Sequence, residues 1–185
     1  MTRWWERSRS SDRSRMDYPR ANFWIASPNY IPRTESIRSV IIHTTQGPSP
    51  DEGGAINKFV QADNGSIHYI VNRRGVITQM VRDADVANHV GSSIGYWANV
   101  ESIGIEHVNT VGQNPTEVQY EASVRLVLWL CSTHSIPKVH ETRAHAPGIK
   151  DHEYVSPESK RCPGPDWDWD HYMTLLAKIA GWPSP

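Results

Sequence analysis

The chain has 185 residues, 21% of them charged, and a formal net charge of −1 at pH 7. That length suits one domain with a proper buried core, and the near-neutral balance excludes a global basic field of the kind that gathers nucleic acid or anionic membrane. No apolar run is long enough for a transmembrane helix, and the charged first residues lack the apolar stretch of a secretory signal, so synthesis in the cytoplasm is expected.

Two cysteines, Cys131 and Cys162, are too few for a disulfide framework and fit a reducing compartment. Nine histidines are an excess that makes a metal site worth testing.

Residues 1–17 are dominated by Arg and Ser without apolar periodicity and read as a basic, flexible arm ahead of a domain over 18–185. The run RSVIIHT, 38–44, is short, β-branched and apolar, the pattern of a buried strand. Asp51 opens an expected helix to Ala62. SIHYIVN (66–72) and VITQMV (76–81) read as a hairpin, with Gly75 suited to a positive-φ turn position. ESIGIEHV, 101–108, alternates as a further central strand.

Thr116 and Gln119 have capping-box spacing, opening a helix to Thr133 with Tyr120, Val124, Val127, Leu128 and Cys131 on its apolar stripe. A last helix is expected over 167–180, with Asp166 as N-cap and Trp169, Met173, Leu176 and Ala180 on one face. Strands interleaved with helices make this an α/β domain.

The chemistry concentrates in HEYVSPESKRCPGP, 152–165. His152 and Cys162 are both good zinc ligands, and His43 at the end of a buried strand offers a third. Two imidazoles and a thiolate leave a tetrahedral zinc one open position for water. Glu106, facing the side opposite Ile103 and Ile105, is a candidate general base, and Lys160 a fixed positive charge for an oxyanion. His145 in RAHAPG is an alternative ligand. Cys131, on a helical apolar stripe, is expected in the core, and His134, His140 and His171 on the surface.

The segments SVIIHTTQG, SIHYIVNRRGVITQMV, DVANHVG, SIGIEHVN and HEYVSPESKRCPGPDWDW, in this order, resemble the amidase-2 family, the zinc amidases related to peptidoglycan recognition proteins and phage lysozyme-type amidases. The resemblance covers about residues 18–175. It implies a central mixed β-sheet flanked by α-helices, with zinc held by His43, His152 and Cys162; the family spacing to Cys162 fits His152 and not His145. It implies catalytic roles for Glu106 and Lys160. Some branches carry a catalytic Tyr where this chain has Ile67, which puts more weight on Glu106. His107 replaces a usual aliphatic residue and is expected to be partly buried and no ligand.

The activity so implied is hydrolysis of the amide between N-acetylmuramic acid and L-alanine in peptidoglycan, most simply by a monomeric phage or prophage endolysin. The alternatives are a cytoplasmic amidase recycling anhydro-muropeptides, a recognition module that binds peptidoglycan without cutting it, and a structural zinc site. His68, His89 and Trp97 are candidates for substrate contact, with His68 alternatively orienting the site from behind. Trp97, Trp167 and Trp169 are candidate stacking surfaces for sugar rings, Trp169 more readily a core anchor of the last helix.

Overall fold

The two runs read as buried strands, β3 (Ser39–Thr44) and β7 (Ser102–His107), lie side by side in parallel at the centre of the molecule, buried at every position. A computed structural model describes residues 13–47, 52–62, 64–91, 96–156 and 161–181. Most of the expected basic arm and Lys160 lie outside the described residues.

β8 (Gly148–Asp151) flanks β3, and β4 (Tyr69–Val71) flanks β7. With β5 (Ile77–Gln79) and β1 (Phe23–Trp24) they form a six-stranded sheet of order β1-β5-β4-β7-β3-β8, parallel except for the β4–β5 hairpin. Gly75 takes the turn at φ 75°, where a Cβ would be strained. A separate antiparallel ribbon pairs β2 (Tyr30–Pro32) with β6 (Asp85–Ala87).

Period-2 alternation divides the sheet. Val40, Ile42, Tyr69, Val71, Ile103, Ile105 and Ile149 meet the long helix α3 (Glu117–His134) and the last helix α5 (Trp169–Ile179) in the main core. The opposite face receives α1 (Glu52–Phe59), α2 (Tyr96–Val100) and the short α4 (His152–Val155), through two smaller clusters that include Ile70 and Ile41. Helices on both faces explain why β3 is a continuous apolar run. Cys131 is in the core, and burial pushes its thiol up to about 12.

Several expectations are adjusted by tertiary contacts. α1 stops at Phe59, and beyond it the Asn29 amide takes the carbonyls of Gln61 and Asn64, at 2.7 and 2.5 Å; Asp51 lies outside the described residues. Thr116 caps α3 by accepting from the Gln119 N–H. The Gln119 side chain does not close the box; it donates to the carbonyls of Val71 and Val108 at 2.9 and 3.1 Å. α5 is capped by Asp168, not Asp166, because Trp167 must first enter the core against His107, Tyr120 and Tyr172. Asp166 instead accepts from the Gly112 N–H. Tyr172 and Leu175 join Leu176 as the buried residues of α5, while Trp169 and Met173 are only partly covered.

The histidines differ most from expectation. His107 is wholly buried, its Nδ1–H donating to the His43 carbonyl at 2.8 Å and its Nε2 bonded to Ser123 Oγ at 2.7 Å. His134 pairs with Asp83 at 3.1 Å. His140 bonds Asp151 at 2.6 Å and stacks on Trp169 at 3.7 Å. All three expected at the surface are half-exposed, and His171, paired with Glu117, is the most open of them. At the start of the chain, Asp17 accepts from Gln79 Nε2 and from the Asp83 N–H, tying the last residue of the expected arm to the body.

Candidate active site

Three elements converge at the carboxyl end of the central strands. β3 delivers His43; the junction of β8 and α4 delivers His152; the loop before α5 delivers Cys162. One ligand atom from each lies within 4.8 Å of the others. Cys162 Sγ is 3.7 Å from His43 Nδ1, and the rings of His43 and His152 are 4.4 Å apart.

The Cys162 loop is strapped to the end of β3. Thr44 Oγ1 donates to the Pro163 carbonyl at 2.7 Å, and Gln46 Nε2 donates to the carbonyls of Arg161 and Pro163 at 2.8 and 3.1 Å. The Glu153 N–H donates to the Cys162 carbonyl at 3.1 Å, which ties the residue after His152 to Cys162.

The electrostatics of the cluster fit a cation. Burial, and then the neighbouring His152, hold His43 well below the ordinary imidazole range, and burial takes His152 down to about 4. Both rings are therefore neutral, with a lone pair to offer. His152 Nε2 is buried and has no hydrogen-bond partner, an arrangement costly for a polar atom unless something binds it. Burial, and then the Glu106 carboxylate, push the Cys162 thiol up, a cost that a bound cation would remove by taking up the thiolate. This donor set of two imidazoles and one thiolate suits a soft to borderline metal.

Glu106 is the β7 partner of His43 in register, on the same face of the sheet. It is buried, and burial raises its carboxyl to about 7, opposed by the positive charge of Lys58. A carboxyl so poised exchanges a proton near neutrality.

His68 and His89 sit behind this cluster. His68 has no exposed surface; its Nδ1 accepts from the Gly104 N–H at 3.0 Å and its Nε2 lies 3.1 Å from the Asp85 carbonyl. His89 Nδ1 is 3.0 Å from His43 Nε2, and its Nε2 is 3.2 Å from Ser102 Oγ. Trp97 packs beside Ile41, Val90 and Val155, its ring 4.2 Å from that of His145. His145 is not in the ligand group. Trp167 is buried in the core, and Trp169 is engaged by His140 and Asp151, so neither is free to stack on a sugar.

Residues the sequence reading passed over complete the surroundings. Asn99, buried in α2, accepts from the N–H groups of His89 and Val90 at 3.0 and 2.8 Å. It donates to the Gly91 carbonyl and Asn88 Oδ1 at 2.7 and 3.2 Å. Arg33 donates to the carbonyls of Val100, Asp85 and Ser102 at 2.5, 2.9 and 2.9 Å, locking the β2–β6 ribbon to the start of β7. Counting back by two from Glu106 would have placed Gly104 and Ser102 on the site face. The reach of Arg33 and Asn99 has no such local signal.

A family model described as N-acetylmuramoyl-L-alanine amidase matches residues 33–165. A 1,6-anhydro-N-acetylmuramyl-L-alanine amidase, AmpD, of Haemophilus influenzae is 29% identical over 174 residues, covering 82% of this chain and 90% of the relative. A selenomethionine derivative of AmpD is similar in structure at a TM-score of 0.62, with 23% identity, covering 82% of this chain and 92% of the other. A mutant endolysin from Bacillus subtilis gives a TM-score of 0.61 at 20% identity, covering 81% and 92%. At those identities the two structures share the fold: a mixed central sheet flanked by helices.

Proposed function

The chain belongs to the N-acetylmuramoyl-L-alanine amidase family and has that activity, and from that premise we propose that His43, His152 and Cys162 hold a zinc ion beside Glu106 as its catalytic centre. The observation that carries this reading is the convergence of three donor atoms within 4.8 Å, one of them a buried imidazole nitrogen without a partner.

Zinc, when bound, supplies Lewis-acid activation of the scissile carbonyl and of the attacking water. Glu106 accepts a proton from that water as its oxygen adds to the carbonyl carbon. The same carboxyl returns the proton to the L-alanine nitrogen as the carbon–nitrogen bond breaks, leaving the lactyl carboxylate and a free amine. Its raised carboxyl, near 7, suits both transfers. Lys160 supplies positive charge to the tetrahedral oxyanion. Trp97, half-buried beside His145, contributes to substrate contact. The protein acts as a monomer.

Two substrate settings divide this activity. The Arg- and Ser-rich residues 1–17 favour an endolysin that cuts intact wall. The second reading, recycling of soluble 1,6-anhydro-muropeptides, is favoured by the relative from Haemophilus influenzae. Turnover of intact sacculi and of a purified anhydro-muropeptide, measured side by side, separates the two: a large preference in kcat/KM for sacculi supports the endolysin, and the reverse supports recycling.

A further inference from the structure

The hydrogen bonds around His89 carry a direction. Ser102 Oγ lies 2.5 Å from the Ala98 carbonyl oxygen. A carbonyl cannot donate, so the single hydroxyl proton lies on that contact. Ser102 therefore accepts from His89 Nε2–H at 3.2 Å. A neutral His89 protonated on Nε2 has a lone pair on Nδ1, and the atom 3.0 Å away, His43 Nε2, must be the donor. That leaves His43 with its lone pair on Nδ1, the atom that faces Cys162 Sγ at 3.7 Å.

We propose that His89 is a positioning residue that fixes the Nε2–H tautomer and the ring angle of His43, so that Nδ1 is presented to the metal. The inference rests on the zinc reading above, and it gives His89 a role other than the substrate contact expected from the sequence, since both of its ring nitrogens are engaged inward. Metal-bound histidines characteristically donate their second nitrogen to a neighbouring acceptor, which orients the ring and raises its basicity. Here the acceptor is another imidazole, and the protein holds it from four directions. Asn99 grips the backbone of His89 and Val90. Ser102 orients the far nitrogen. The imidazole rests on Gly104, where a Cβ would come within 2.5 Å of His89 Cγ and 2.6 Å of Nδ1. Arg33 fixes the Ser102 carbonyl beneath.

The test combines tautomer and affinity. In metal-free protein labelled with 15N in its histidine rings, long-range proton–nitrogen correlations should show His43 as the Nε2–H form; the Nδ1–H form overturns the inference. Zinc affinity, measured by chelator competition, should fall about 10- to 100-fold in His89→Ala. His89→Asn, whose Oδ1 stands near the place of Nδ1 and accepts the same hydrogen bond, should recover to within a few-fold of wild type. Circular dichroism melts establish that both variants are folded before the comparison. Equal affinity in His89→Ala and wild type overturns the proposal, as does a folded His89→Asn that binds as weakly as His89→Ala. Wild-type protein that takes up no zinc would defeat the metal reading instead, and the tautomer spectrum would still decide the role of His89.

Discussion

His43 and Glu106 are register partners on adjacent parallel strands, so a metal-ligand candidate and a buried carboxyl emerge side by side on one face of the sheet. The main chain of neither residue can move without breaking a central ladder. That rigidity is what a site needs to hold reacting groups to within a fraction of an ångström. It also places a group that wants to be charged where burial resists the charge.

Glu106→Gln is the direct consequence. Turnover should fall by about 10²- to 10⁴-fold, with zinc content unchanged. In chelator-treated protein the same change should stabilise the fold. Glu106 has a folded pKa of about 7, above its value in an unfolded chain. The folded state therefore loses stability as pH rises from about 4 to about 7, and carries the full penalty above that. The gain from Glu106→Gln should be about 3 kcal/mol at pH 8 and should vanish near pH 4. Melting temperatures across that range check it; equal melting of the two proteins at pH 8 would contradict the assignment.

Cys162→Ala should remove the metal. Wild type in zinc at a hundredfold its dissociation constant gains about 2.7 kcal/mol of stability over the chelated protein. The variant should show little of that gain, and its melting temperature should be nearly independent of added zinc. A variant that keeps the full zinc-dependent shift would place the ion elsewhere.

Gly104→Ala should disturb the ligand geometry without touching a ligand. The added methyl meets His89 and the tip of Ile67, at 2.7 Å from the latter. Overpacking of this kind costs about 1–3 kcal/mol, and displacement of His89 should weaken zinc binding in the same protein. Unchanged affinity with an unchanged melting temperature would mean that the imidazole does not lie against this glycine in solution.

Ser123→Ala tests the opposite face. Ser123 links His107, at 2.7 Å, to Tyr172 Oη, at 2.8 Å, in a fully buried chain that ends on the His43 carbonyl. Its loss leaves buried polar atoms without partners, a cost of about 1–3 kcal/mol. Denaturant melts measure it, and kcat should change little because the ligands stay in place.

The central strands and the long helix were legible because β-branched runs, alternation and a cap are local signals. The same holds for His43, whose place at a strand end follows from the run that precedes it. β8 was not legible: GIKD carries little apolar character, and its Lys150 is buried only because its ammonium reaches the carbonyls of Arg143 and Ala144 at 2.5 and 2.7 Å. The start of α5 was misjudged for the same reason. Asp166 and Asp168 are equivalent as caps by sequence, and packing of Trp167 chooses between them. At the site, the three residues that come together, His43, His152 and Cys162, were readable through the family resemblance. Ser102 follows from the alternation of β7, but the supports from Arg33 and Asn99 have no local pattern that announces them.

The most direct test is digestion of purified peptidoglycan and of soluble muropeptides by wild-type protein, with and without a zinc chelator, followed by mass spectrometry of the products. The account predicts intact stem peptides bearing a free L-alanine amine, lost on chelation and restored by added zinc. Products unchanged by complete removal of the metal would contradict the zinc centre, and a zinc-replete protein that binds the wall but releases no peptide would contradict the catalytic roles given to Glu106 and Lys160.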